Sequence, residues 1–121
     1  MPNMTILMAN VAAAIDQTKL SSRENALLQQ YALETRSTYC AGCADLCESA
    51  VAGDIPIGDV MRYLMYARSY DNPHRAGTYF RQIPPDIRLQ MAGADYSAAE
   101  KRCPRKMAIG RLMQEALKEL S

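Results

Sequence analysis

The sequence predicts an all-α protein, a compact single helical domain of about five to seven helices with one irregular cysteine-bearing loop. Three observations carry that prediction. Apolar residues recur at three- and four-residue spacing in several stretches. Cap residues and prolines mark helix starts along the chain. No alternating apolar-polar run is rich in β-branched side chains, so strands are not expected.

The first helix is predicted over 4–15, with Met4, Leu7, Met8, Val11 and Ile15 on one face. Asn3 can cap it through its side-chain oxygen. Asp16 to Ser22 breaks the pattern. Ser21 and Glu24 then form a capping box, and a second helix should run to about Arg36, burying Leu27, Leu28 and Tyr31. A polar run, Ser37-Thr38, leads into the cysteine loop, where Gly42 suits a tight wrap. Pro56 opens a helix over about 57–70. Its core stripe is Val60, Met61, Leu64 and Met65, with Tyr63, Tyr66 and Tyr70 beside it.

Asp71-Asn72-Pro73 repeats the start pattern for a short helix to about Gln82. Pro84-Pro85 stops it and opens another over about 85–92, ended by Gly93. Residues 95–102 allow one or two turns, and Pro104 forces a break after Cys103. The last helix, about 109–120, has the clearest period: Ile109, Leu112, Met113, Ala116, Leu117 and Leu120. No sustained internal repeat, low-complexity block or linker stands out.

The 121 residues suffice for one domain and one modest core. Hydrophobic residues make up 49% and charged residues 22%, which excludes a disordered or collagen-like chain. A net charge of +1 gives no general attraction to nucleic acid or an anionic membrane. No apolar stretch approaches the ~18 residues that span a bilayer. The N-terminus lacks the basic region of a secretory signal, and the expected location is cytoplasmic. With one histidine and no tryptophan, His-rich metal sites and His-dependent triads have little to build on. What remains unusual is four cysteines, three of them within eight positions.

Cys40, Cys43 and Cys47 form C-x2-C-x3-C, and Cys103 stands far downstream before Pro104. Four thiolates suit zinc or an iron–sulfur cluster. Structural zinc sites usually draw ligands as two close pairs. Three ligands from a short loop plus a distant Cys-Pro is instead how bacterial ferredoxins hold a four-iron cluster. A Cys40–Cys43 redox pair, structural disulfides and buried inert thiols are the other readings. The first lacks its βαβ context, the second fits small secreted scaffolds, and the third does not explain such crowding. Lys101, Arg102, Arg105 and Lys106 flank Cys103, and Arg36 precedes the loop. They are either partners of an anionic cluster or solvated surface charges. Sulfur spacing separates the metals: roughly 6 to 7 Å around a four-iron cluster, near ~4 Å around zinc.

The chain resembles the C-terminal iron–sulfur region of aldo/keto reductase-like oxidoreductases over nearly its full length. Met4 to Ala14, with Asn10 inside it, resembles the final barrel helix, and Leu20-Ser-Ser-Arg-Glu24 the segment leaving the barrel. Cys40, Cys43, Cys47, Ile55-Pro56-Ile57, Tyr63 and Tyr66 resemble the first half of the tail. Cys103-Pro104, Ile109 and Leu112 resemble its last part. The resemblance implies two segments, 1–38 from the barrel end and 39–121 as the iron–sulfur tail, in one compact unit. It implies a single 4Fe-4S cluster on Cys40, Cys43, Cys47 and Cys103, easily lost on purification, with zinc as the alternative.

The chain departs from the family in two ways. A second cysteine run is commonly present there, whereas this chain has Tyr96 and Ala99 at the matching positions. Glu48 stands where Pro often follows the third cysteine. The strand-bearing barrel and its catalytic residues are missing, so the chain is not catalytic alone. The implied role is an electron-transfer module serving an oxidoreductase, whose catalytic domain or redox partner would be the partner. The alternatives are a structural metal module and a helical interaction domain, self-associating through the 4–15 face.

Overall fold

In a computed structural model of the chain, which describes residues 3–16, 18–35 and 39–121, the Asn3 side chain accepts a hydrogen bond from the Ile6 N–H at 3.0 Å. It thereby starts α1 (Met4–Ile15). Ser21 and Glu24 close the expected capping box: the Ser21 N–H donates to the Glu24 carboxylate at 2.8 Å, and the Glu24 N–H donates to Ser21 Oγ at 3.2 Å. α2 (Ser22–Thr35) follows. Arg36, Ser37 and Thr38 lie outside the described residues, and with them the expected end of this helix and the Arg36 charge. The chain forms two compact units, Met1–Leu33 and Glu34–Ser121.

The first unit corrects an expectation. Leu27, Leu28 and Tyr31 are not buried; they are 57%, 54% and 64% exposed. No side chain of α1 or α2 is buried. An apolar stripe buries itself only against a partner surface.

The second unit is built from α3 (Ala44–Glu48), α4 (Ile57–Arg68), α5 (Pro73–Phe80), α6 (Pro85–Gly93), α7 (Ser97–Arg102) and α8 (Ile109–Glu119). With α1 and α2 the described residues hold eight helices and no strand. The expected cysteine loop is therefore partly helical. Cys43 and Cys47 are four residues apart, one helical turn, and α3 occupies that spacing with Cys43 at its cap. α4 packs on α5 and α8, α3 on α4 and α7, and α8 also on α6 and α7. Phe80, Ile57, Met91, Met113 and Val60 are the largest side chains sealed from water, each contributing roughly 1.5–3 kcal/mol by burial. Asn72 caps α5 by accepting from the Arg75 N–H at 3.1 Å, with Pro73 in the first turn. Tyr63 and Tyr66 of α4 meet Tyr79 of α5, with ring centres 5.7 and 6.2 Å apart.

The structure also contains an internal repeat that the sequence does not announce. α3 followed by α4 is matched by α7 followed by α8. The Glu48 carboxylate accepts the Gly58 N–H at 2.9 Å, and the Glu100 carboxylate accepts the Gly110 N–H at 2.9 Å, each across ten residues. Backbone angles at the two helix caps agree: φ −81, ψ 72 at Pro56 and φ −78, ψ 74 at Ala108. Gly58 lies against Ala44 as Gly110 lies against Tyr96. At the same interval, Ile57 and Ile109, Met61 and Met113, and Ile55 and Met107 are buried in pairs. Each half thus lends a carboxylate to the start of its longer helix, where exposed N–H groups and the helix dipole favour negative charge.

Candidate functional site

Cys40, Cys43 and Cys47 come from the first half of this repeat, and Cys103 from the second. All four line one small cavity of about 20 Å³. Apart from Arg105, its other walls are apolar, chiefly Leu46, Ile57, Met61, Met107 and Ile109. Each cysteine is held differently. Gly42 takes a left-handed φ of +77°, which glycine adopts at no steric cost, and its N–H donates to Cys40 Sγ at 3.4 Å. Cys40 is exposed, Cys43 is half-buried, and Cys47 and Cys103 are buried. The Cys47 thiol donates to the Ala44 carbonyl at 3.3 Å. Burial, then the neighbouring Glu48 carboxylate and Cys40, pushes the Cys47 thiol above its ordinary pKa. Cys103 ends α7, its N–H donating to the Ala99 carbonyl at 2.9 Å. None of the four is in a disulfide.

Among the described residues, no group of three or more His, Cys, Asp or Glu side chains is arranged to hold a metal ion. Tyr96, at one position where the resemblance implies a lost thiol, is buried, and its hydroxyl donates to the Met91 carbonyl at 2.8 Å. Ala99, at the other, is sealed in the core. Both positions are filled by packing.

The cations flanking Cys103 separate into different roles. Arg102 donates to Ser49 Oγ at 3.3 Å, joining the ends of α7 and α3. The Lys106 ammonium donates to the Lys101 carbonyl at 3.4 Å. Arg105 alone lines the thiol cavity. One of its Nη groups donates to the Thr35 carbonyl at 3.4 Å, while its Nε is buried with no partner among the described residues. A buried donor left unsatisfied costs ~1–3 kcal/mol. Leu46, Met61 and Met107 are the walls that residue-by-residue sequence reading missed. Met61 alone was legible there, as core stripe rather than cavity wall. Comparison with protein families, characterised proteins and solved structures returned no match.

Proposed function

We propose that the second unit binds one 4Fe-4S cluster and serves as an electron-transfer module of an aldo/keto reductase-like oxidoreductase. The observation that carries this reading is the gathering of Cys40, Cys43, Cys47 and Cys103 around one apolar cavity. Three come from one half of the repeat and one from the other, which is the sharing that the ferredoxin pattern requires. The buried Arg105 Nε, which has no partner among the described residues, supports an anionic occupant able to accept its N–H. When bound, the cluster supplies one-electron transfer at a potential set by charge, hydrogen bonds and burial.

The chain's own residues do the rest. Leu46, Ile57, Met61 and Ile109 exclude water from the site. Arg105 balances thiolate charge. The cavity is narrow, and Cys40 is its exposed corner. Thiols gathered without disulfides suit a reducing compartment, and we place the protein in the cytoplasm.

The test is anaerobic reconstitution with ferrous iron and sulfide, followed by visible absorption. Wild-type protein should develop broad charge-transfer absorption, and Cys103→Ser should lose most of it. Equal absorption in both would remove the fourth ligand and the reading with it.

The first unit favours a partner role beside this one. α1 carries no charged residue, and Met4, Met8 and Ile15 are at least 65% exposed. Such a face fits the catalytic partner, or a second copy of this chain. Sedimentation of wild type against Met8→Glu/Ile15→Glu tests it: self-association should fall in the variant, and a monomeric wild type leaves only the catalytic partner to cover the face.

A further inference from the structure

A second cavity, of about 550 Å³, lies between α4 and α8 and reaches the Cys40 loop. Its floor is apolar, formed by Met61, Leu64, Met65, Met107 and Leu112. Its rim is cationic: Arg62, Arg68, Lys106 and Arg111 line it, and no carboxylate does. Carboxylates stand outside the lining. Arg68 is fully engaged by Glu115, at 2.7 Å, and by Glu119. Arg62 and Arg111 keep only long contacts, 3.8 Å to Asp59 and 3.7 Å to Glu115. Those distances are beyond a hydrogen bond. Lys106 is held at the rim by a left-handed backbone, φ 53°, uncommon outside glycine. Arg62 and Arg111 can thus turn toward an occupant, beside the Lys106 ammonium, which donates to the Lys101 carbonyl at 3.4 Å.

Small-molecule sites have volumes of about 300–1,000 Å³, an apolar lining and a few placed charges. Methionine sulfurs pack well against aromatic rings. Guanidinium groups fork onto phosphate, and two of them with a lysine nearby match a dianionic phosphate better than a lone carboxylate. We propose that this cavity binds a flat aromatic molecule carrying a phosphate. Cys40 walls both this cavity and the thiol site, so the ligand would cover the exposed corner of that site. The inference stands on the α4–α8 cavity and does not rest on the cluster reading.

Flavin mononucleotide is the probe, riboflavin its phosphate-free twin, and the full chain without iron, in reducing buffer, is the protein. The expected result is saturable binding of one flavin mononucleotide per chain. Riboflavin should bind about tenfold or more weakly, since a charge-assisted bond to phosphate is lost. Arg62→Glu/Arg111→Glu should weaken binding by a similar factor with an unchanged helical circular dichroism spectrum. The bound probe should also slow alkylation of Cys40. No saturable binding, equal affinity for riboflavin, or wild-type affinity in the double variant would overturn the proposal. So would inorganic phosphate competing as strongly as the probe itself. Because iron is left out, failure to assemble a cluster does not change the outcome.

Discussion

Replacing Tyr96 with phenylalanine should reduce the protein's sensitivity to alkali between pH 10 and pH 12. Tyr96 is only 4% exposed, and burial pushes its hydroxyl from 10.0 up to about 12. The folded state therefore favours the neutral phenol. That stabilisation is fully present below pH 10 and is lost as pH rises through about 12. A hundredfold change in acidity corresponds to about 3 kcal/mol, a large part of the stability of a small domain. Urea unfolding across this range should show the loss in wild type. In Tyr96→Phe, stability at neutral pH should fall by about 1 kcal/mol, because the hydrogen bond to the Met91 carbonyl goes. Its alkaline slope should shrink. Tyr63, raised by burial and then by the Asp59 carboxylate, and Cys47, raised chiefly by burial, leave a remainder. Tyrosinate absorbance offers a second readout, with one of the seven tyrosines ionising last in wild type and missing from the variant. An unchanged alkaline slope in Tyr96→Phe would refute the reasoning.

The repeat predicts that Glu48→Ala and Glu100→Ala cost similar amounts, about 1.5–3 kcal/mol each, while the corresponding glutamine variants, which keep an acceptor, cost about half; thermal unfolding checks this, and a silent Glu100→Ala would break the equivalence. Arg68 hydrogen-bonds the Glu115 carboxyl and holds it below its ordinary value of 4.5, so the stabilisation is present above pH 4.5 and fades as pH falls below it. Arg68→Ala should accordingly lower the melting temperature at neutral pH and make less difference in acid, as a pair of melting curves would show. Phe80→Ala, at a fully sealed position of α5, should cost about 3–5 kcal/mol in urea unfolding; a cost under ~1 kcal/mol would mean that the α4–α5 packing is not as described.

Much of this structure was legible in the sequence, and the parts that were not have physical reasons. α1 starts at Asn3 and α5 at Asn72-Pro73 because a cap is a local interaction, readable from three or four residues. The stripe of α8 was readable because its period is maintained to Leu120. Burial of Leu27, Leu28 and Tyr31 was misread because periodicity reports an apolar face and not what covers it. The helical turn at Ala44–Glu48 was hidden by glycine and cysteine, which read as loop, although the C-x3-C spacing itself is helical. The repeat escaped notice because Glu48 and Glu100, Ile57 and Ile109, Gly58 and Gly110, and Met61 and Met113 are isolated identities in otherwise different segments. Geometry unites those positions, since each pair performs one job at a helix start or in the core. Arg105 was one of four flanking cations in the sequence, and only the turn after Cys103 selects it for the cavity.

The central claim is that the four cysteines hold a single cluster. The most direct measurement is iron and acid-labile sulfide per chain after anaerobic reconstitution and removal of unbound metal. The account predicts about four of each, with the Cys103→Ser variant well below that. One zinc per chain with no iron or sulfide retained, or no metal at all under reducing anaerobic conditions, would contradict it.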